Sequence, residues 1–289
     1  MLRTAAQSTR YHSTATRTLS PHPALTLIPS FLTLPEQSLL LTRSLRLLDS
    51  PSRSTAAGRK LRKQWRKAHP HWNPQDGFMD DEAYAWEEGH FDGVIKQYRE
   101  MLVGDGAWGE AGEEGELARV LKKVYSLLPA PSSSSPTSTP TNPPSHLIMH
   151  LLHLSSNGAI YPHVDNVEAF GRSIVGVSLG SERVMRFKQV SEPQEGTSKA
   201  GPSDFEVLVE PGSAYVQAEP LRTHYTHEVL GAAEWEGRKV EGSQRLSIML
   251  RVCQTSVILR VDACPNPATG TDVSAWRPAK THYESEKHT

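Results

Sequence analysis

Two polar residues that could bind a metal follow an apolar run in NGAIYPHVDN, residues 157–166. If the backbone is extended there, His163 and Asp165 point to the same side and can present an imidazole and a carboxylate to one ion. His227, in HYTHEVL, is the candidate third ligand. Two histidines and one carboxylate leave coordination positions open, which suits non-haem Fe(II). The alternative is a strand end with a satisfied His–Asp hydrogen bond, with His224 and His227 as surface histidines.

A second pattern indicates a bound dianion. In RLSIMLR the period of two places Arg245 and Arg251 on one face, and the other face carries Leu246, Ile248 and Leu250. If the aliphatic face is in a core, the arginines point into a barrel, where buried cations require anions. A guanidinium binds a carboxylate bidentately, and 2-oxoglutarate has a keto-acid end to chelate iron and a far carboxylate. The alternative is an exposed edge strand with solvated arginines.

The elements that must position these residues lie in the second half of the chain. From residue 146 onward, short runs rich in Val, Ile, Leu and Phe are bounded by Gly, Pro, Asn or Ser. This pattern predicts an antiparallel sandwich or barrel. We expect Asn157-Gly158 to form the turn that leads into the ligand strand, and residues 191–204 to form a long polar hairpin loop. Residues 129–144, rich in Pro, Ser and Thr, cannot build a core.

The first half of the chain has the spacing of helices. Leucines after Pro35-Glu36 predict one helix, residues 91–102 predict a second, and residues 117–128 predict a third. Residues 58–73 are basic and contain two tryptophans, which is one signature of a nucleic-acid patch. Because acidic residues follow immediately, we favour a solvated, charge-balanced loop.

Composition excludes several classes of protein. The chain has 289 residues and a formal net charge of -1, which gives no global attraction to nucleic acids or membranes. Its two cysteines are too few for a disulfide scaffold or a zinc ribbon. No apolar run reaches the roughly 18 residues of a transmembrane segment. Residues 1–20 contain Arg3, Arg10 and Arg17, and the first carboxylate is Glu36, as in a mitochondrial transit peptide. The alternative is a disordered tail without a targeting role.

Together these motifs resemble the AlkB-type Fe(II)/2-oxoglutarate dioxygenases, and most closely the mitochondrial AlkB homologue 7 group. The resemblance is carried by GAIYPHVDNVEAFGRSIVGVSLGSERVMRF, VLVEPGSAYV, HYTHEVL and QRLSIMLR, within residues 147–252. It implies that His163, Asp165 and His227 bind iron. It also implies that Tyr215 and Arg245 bind 2-oxoglutarate, with Arg251 near the iron-chelating end.

The resemblance further implies a mainly β fold, a double-stranded β-helix or jelly-roll flanked by N-terminal helices. The cofactors implied are Fe(II), 2-oxoglutarate and O2, with catalysis at the iron centre and no separate acid or base. The expected divisions are a transit peptide (1–20), a helical extension packed on the barrel (21–128), a linker (129–145), the dioxygenase core (146–262) and a tail (263–289).

The substrate is the least determined property. Nucleic-acid repair members of the family resemble one another in an Asn-x-Tyr before the H-x-D motif, where this chain has Leu152 and Leu154. This departure argues against duplex DNA. The resemblance favours a protein substrate in the mitochondrial matrix, with links to programmed necrosis and fatty-acid metabolism. An RNA demethylase and a non-catalytic sensor of iron or 2-oxoglutarate are the alternatives, and the oligomeric state is open.

Overall fold

A computed structural model of the chain describes residues 20–90, 92–104, 107–108, 115–128, 147–165, 170–190 and 201–253. The predicted linker and tail, and all but the last residue of the predicted transit peptide, lie outside these residues. The described strands are β1 (Leu25–Ile28), β2 (Glu87–Gly89), β3 (Ile95–Val103), β4 (Leu147–His163), β5 (Phe170–Gly180), β6 (Arg183–Gln189), β7 (Asp204–Val209), β8 (Ala214–Ala218), β9 (Tyr225–Val229), β10 (Ala233–Trp235), β11 (Arg238–Val240) and β12 (Arg245–Cys253). The described helices are α1 (Leu34–Leu48), α2 (Ala56–Ala68), α3 (Glu116–Tyr125) and α4 (Leu221–His224).

Ten strands form one antiparallel sheet that curls over a hydrophobic interior. Its order is β1-β8-β5-β12-β4-β9-β6-β7, with β3 paired to β4 and β2 to β3. The 17-residue strand β4 joins the two halves, because most of it lies between β3 and β12 and its end pairs with β9. Strands β10 and β11 form a separate hairpin. This architecture confirms the predicted mainly β, double-stranded β-helix fold.

The two faces of the sheet bury different cores. On β12, Leu246, Ile248 and Leu250 are fully buried in the outer core, which α1 and α3 cover. Met249 belongs instead to the interior core. Since side chains alternate along a strand, Arg245 and Arg251 share the interior face with Met249. The predicted division of β12 into two faces is confirmed.

The Asn157-Gly158 pair is not a turn, so that prediction was wrong. Strand β4 continues through it to His163, and the register with β3 shifts because residues 155–158 bulge opposite Gln97. A Cβ on Gly158 would lie 2.7 Å from the Gln97 carbonyl oxygen, so this position requires glycine. The bulge re-aims the strand and sets which residues after it face the interior.

Two of the predicted N-terminal helices are present. Helix α1 begins with a capping box, in which the Thr33 hydroxyl accepts from the Glu36 amide and the Glu36 carboxylate accepts from the Thr33 amide. Helix α3 packs beside it, and Lys123 donates to the Glu36 carboxylate at 2.9 Å. Among the described residues, no helix is long and apolar enough to cross a membrane.

The helix predicted over residues 91–102 is instead strand β3. Its apolar positions fit both periods, since Tyr98 faces the interior core while Met101 and Val103 join the outer core. A short apolar run of this kind does not distinguish helix from strand. The pairing of β3 with β2 and β4, a long-range contact, decides the outcome.

The basic run predicted as a loop contains helix α2. The Thr55 hydroxyl caps its first turn by accepting from the Gly58 amide at 3.1 Å. Trp65 packs against the small core of Met79, Ala83 and Tyr84. Lys and Arg are good helix formers. This apolar contact and the ion pair between the buried Arg62 and Asp49, at 3.5 Å, hold the cationic helix in place.

Candidate metal and dicarboxylate site

Three potential metal ligands converge where β4 meets β9. His163 and His227 are directly opposite in the antiparallel register, with ring centroids 4.2 Å apart. Asp165 follows β4, and its Oδ2 lies 3.7 Å from His227 Nε2. One ligand atom from each residue lies within 4.8 Å of the others. Among the described residues, this is the one group of three or more His, Cys, Asp or Glu side chains close enough to bind one ion.

The protonation states of these groups suit a cation. His163 Nδ1 lies 2.9 Å from the Tyr161 carbonyl oxygen, so that nitrogen donates and Nε2 is available as a ligand. Burial, with His163 and the nearby arginines, lowers the pKa of His227 to about 3, although Asp165 opposes this shift. Burial alone would raise the pKa of Asp165, but Arg251 and the two histidines lower it well below its usual range. The site therefore offers a carboxylate and a neutral His227 imidazole at neutral pH.

Two buried arginines lie beside the Asp165 carboxylate. Arg251 Nη2 is 3.3 Å from Asp165 Oδ1, so the sequence-predicted arginine contacts the predicted metal ligand. Arg222, on α4, is also buried and acts electrostatically on Asp165. Sequence analysis missed Arg222, because nothing in its spacing separates it from a surface arginine. His224, the other candidate histidine of that segment, is not a member of the metal-binding group.

Arg245 lies in the interior as predicted, and it is 1% exposed. Its Nε donates to the Ser178 hydroxyl at 2.9 Å, and Tyr215 forms a hydrogen bond with it. Its Nη2 is buried and has no hydrogen-bond partner among the described residues. Burial lowers the pKa of Arg245, and Tyr215 partly offsets this effect. An unsatisfied guanidinium nitrogen inside the barrel fits a bound carboxylate.

Gly176 is a further residue that sequence analysis missed. It pairs with Tyr215 in the β5–β8 register, and a Cβ there would lie 2.1 Å from the Tyr215 ring carbon Cζ. The Tyr215 ring therefore crosses β5 at a position that has no side chain. The isolated glycine in SIVGVSL was the available signal, because a glycine inside a strand often marks a close approach.

A polar pair on the interior face was also missed. His150 Nε2 lies 2.9 Å from Glu100 Oε2, and His90 Nε2 lies 3.7 Å from Glu100 Oε1. His90 in turn contacts Asp92 at 2.8 Å. The incorrect helix prediction for residues 91–102 hid this group, because only a strand aims Glu100 at β4.

A buried arginine connects the segments that carry the site. Arg183 is fully buried, and within the part of the chain that the structure describes its guanidinium donates to backbone carbonyls only. The accepting carbonyls lie in three places: the β4 bulge, the turn after β9 and the segment just before β12. Burial and Arg245 lower its pKa to about 10, and Asp81 opposes this effect. The accepting residues are Ser155, Ser156, Gly158, Leu230, Gly231 and Ser243.

Comparisons with known proteins identify a family for this chain. A family model described as the 2OG-Fe(II) oxygenase superfamily matches residues 24–251. The mitochondrial alpha-ketoglutarate-dependent dioxygenase alkB homolog 7 of Bos taurus is 30% identical over 168 residues, which are 57% of this chain and 65% of the bovine protein. The Mus musculus protein of that name is 29% identical over 170 residues, with the same two coverages. The chain thus spans less than two thirds of the length of these relatives.

Among solved structures, "The structure of OsALKBH1" aligns with a TM-score of 0.44 and 16% identity, over 80% of this chain and 98% of that one. A Pseudomonas putida prolyl-4-hydroxylase aligns with a TM-score of 0.38 and 12% identity, over 80% of this chain and 92% of that one. Since the family model covers most of the chain, including every residue of the metal and dicarboxylate site, the chain belongs to the 2OG-Fe(II) oxygenase superfamily.

Proposed function

We propose that this protein is an Fe(II)- and 2-oxoglutarate-dependent dioxygenase whose iron ligands are His163, Asp165 and His227. The convergence of these three side chains at the junction of β4 and β9 carries the proposal. The donor set of two imidazoles and one carboxylate suits Fe(II) and leaves positions for two further ligands. Iron bound there would couple the reduction of O2 to the decarboxylation of 2-oxoglutarate. The overall reaction converts 2-oxoglutarate, O2 and a substrate C–H group into succinate, CO2 and an alcohol.

The chain's own residues orient the co-substrate. Arg245 and Tyr215 bind the far carboxylate of 2-oxoglutarate, and the Ser178 hydroxyl fixes the guanidinium from behind. Arg251 holds the free oxygen of Asp165 and lies near the keto-acid end. The unsatisfied, buried Nη2 of Arg245 supports this assignment, because a carboxylate there would complete its hydrogen bonds.

The test is 2-oxoglutarate turnover by purified, iron-loaded protein, measured as succinate formed. We expect His163→Ala and Asp165→Ala to abolish turnover and metal binding. His224→Ala is the matched control, since His224 is a nearby histidine outside the metal-binding group. Turnover by either ligand variant at the wild-type rate would refute the proposal. Binding of metal and 2-oxoglutarate without turnover, across substrate candidates, would favour the sensor instead.

We further propose that the substrate is a protein and that the enzyme acts in the mitochondrial matrix. The curated relatives are named as mitochondrial, and the arginine-rich, acid-free start of the chain supports the same compartment. Leu152 and Leu154, both buried in the interior core, replace the polar pair expected of repair members. The tests are a panel of mitochondrial peptides and RNAs, and import of a fusion that carries residues 1–35. A cytosolic fusion would refute the targeting proposal.

RNA is the second candidate substrate, and helix α2 is the observation that favours it. The helix contains no acidic residue, and it exposes five cations that could contact phosphates. Replacing Lys63 and Lys67 with Gln should weaken RNA binding and reduce its salt dependence. Lys188→Gln with Lys239→Gln removes the same charge elsewhere on the surface and is the control. Equal effects of the two pairs would remove this support. The exposed cations are Arg59, Lys60, Lys63, Arg66 and Lys67.

A further inference from the structure

The polar pair of Glu100 and His150 occupies the interior face beside the metal-binding group. Glu100 lies opposite Leu152 in the β3–β4 register, and Leu152 belongs to the interior core. His150 lies opposite Met249, another interior residue, one position along the face of β12 from Arg251. Glu100, His150 and Arg251 therefore lie on the interior face of three adjacent strands.

The Glu100 carboxylate is anionic in this position. Burial would raise its pKa, but His150, His90 and Arg251 lower it below the usual value. His150 holds one carboxylate oxygen at 2.9 Å. The carboxylate thus places a negative charge within electrostatic reach of Arg251.

The charges around the metal-binding group would otherwise oppose a cation. Asp165 contributes the group's single negative charge, whereas Arg251 and Arg222 both act on it as positive charges. With His227 neutral, these three side chains sum to one positive charge before a divalent ion arrives. Repulsion between like charges is strong in a partly desolvated interior. The carboxylate of Glu100, on which Arg251 also acts, opposes this excess of positive charge.

We infer that Glu100 is a positioning residue and counter-charge, which allows a divalent metal to bind next to Arg251 and Arg222. It neither ligates the metal nor contacts the reacting atoms. His150 and His90 each contact the Glu100 carboxylate, and Asp92 contacts His90. The inference rests on the proposed function, because it assigns a role at the same metal centre.

A negative charge at Glu100 should favour binding of a cationic metal and oppose binding of anionic 2-oxoglutarate. Glu100→Gln keeps the size of the side chain and removes the charge. We expect Mn²⁺, which has the charge of Fe(II), to bind about tenfold or more weakly, as is typical when a metal site loses an outer partner. 2-Oxoglutarate is a dianion, so at saturating Mn²⁺ it should bind more tightly, by about threefold or more. Electron paramagnetic resonance measures free Mn²⁺, and calorimetry measures 2-oxoglutarate binding.

Matched variants separate charge from packing. Glu100→Asp retains the charge and should keep Mn²⁺ affinity within about threefold of wild type. Glu87→Gln removes a charge from the neighbouring strand β2, where Glu87 accepts from the Tyr98 hydroxyl, and should leave both affinities unchanged. Weaker binding of both ligands in Glu100→Gln, or equal losses in Glu100→Gln and Glu100→Asp, would overturn the inference. So would unchanged affinities.

A compensating variant tests the same charge sum without touching Glu100. Arg222→Met removes one positive charge with a side chain of similar length, so Mn²⁺ should bind more tightly than in wild type. Combined with Glu100→Gln, it should restore at least part of the lost affinity. If Arg222→Met increases Mn²⁺ affinity neither in wild type nor in Glu100→Gln, the inference is contradicted. The wild-type comparison decides this even if Glu100→Gln alone folds poorly. Wild-type protein that binds neither Mn²⁺ nor 2-oxoglutarate would instead refute the proposed function.

Discussion

Gly176 provides a direct test of the proposed co-substrate site. A Cβ at this position would lie 2.1 Å from Cζ and 2.3 Å from the hydroxyl oxygen of Tyr215. Carbon atoms in contact normally stay about 3.5 Å or more apart, so Gly176→Ala must move the ring by about 1.5 Å. That displacement takes the hydroxyl away from Arg245 and from any carboxylate bound there.

The expected cost follows from the lost contacts. Overpacking of a well-packed core costs about 1–3 kcal/mol of unfolding free energy. Loss of a hydrogen bond to a charged group costs about 1.5–3 kcal/mol, so 2-oxoglutarate should bind about tenfold to 100-fold more weakly. Metal affinity should change little, because Gly176 does not contact the histidines or Asp165. Calorimetry with 2-oxoglutarate and thermal unfolding measure the two effects.

The comparison that decides is a double-mutant cycle with Tyr215→Ala. Once the ring is absent, the added methyl group at position 176 has no clash to relieve. Gly176→Ala should then cost almost nothing in either stability or 2-oxoglutarate affinity. The opposite result is that Gly176→Ala reduces stability and 2-oxoglutarate affinity as much in the Tyr215→Ala background as in wild type. In that case the clash with Tyr215 is not the reason for glycine at this position, and the proposed 2-oxoglutarate site is wrong.

Three further predictions concern the barrel and its metal. Arg183→Met should lower the unfolding free energy by about 3 kcal/mol or more, since it leaves buried carbonyls without donors. Denaturant unfolding measures this change, and a decrease in unfolding free energy under about 1 kcal/mol would contradict the prediction. Burial and Arg99 hold the pKa of His153 well below 6.5, so its stabilising effect is complete above pH 6.5 and declines as pH falls through that value. At pH 5.5, about one unit below that value, the loss of unfolding free energy is about 1.4 kcal/mol. The unfolding free energy of His153→Gln should therefore fall less steeply with decreasing pH than that of wild type. Mn²⁺ at 100 times its Kd should stabilise wild-type protein by about 2.7 kcal/mol and leave the melting temperature of His163→Ala unchanged.

The proximity of His163 to Asp165 and the faces of β12 could be predicted because their patterns are local. An alternating strand such as RLSIMLR has one consistent assignment of faces, and H-x-D places two ligands on one side without help from other elements. The residues alone offered His227 as the candidate third ligand, although its partners are distant in sequence. Only the resemblance to a family assigned a role to Tyr215.

The wrong predictions concern features that depend on long-range pairing. Strand β3 has apolar spacing that also fits a helix, and only its register with β4 aims Glu100 at the interior. The Asn157-Gly158 pair has turn chemistry, but the flanking pairing absorbs it as a bulge. Arg222 and Gly176 gain their significance from neighbours across the barrel, which no local pattern encodes.

The carbonyl contacts of Arg183 have a consequence for how the site is lost. The three segments that it joins end or begin near His163, His227 and Arg245. One side chain therefore connects the strands of the proposed metal ligands and of the arginine proposed to bind 2-oxoglutarate. Opening any one segment leaves a buried guanidinium partly unsatisfied and weakens the others. We therefore expect the amide protons flanking these contacts to exchange with solvent as a single unit. In that case the protein does not populate a form in which only one of the two proposed sites is intact. The geometry for metal binding and the geometry for 2-oxoglutarate binding are then lost together.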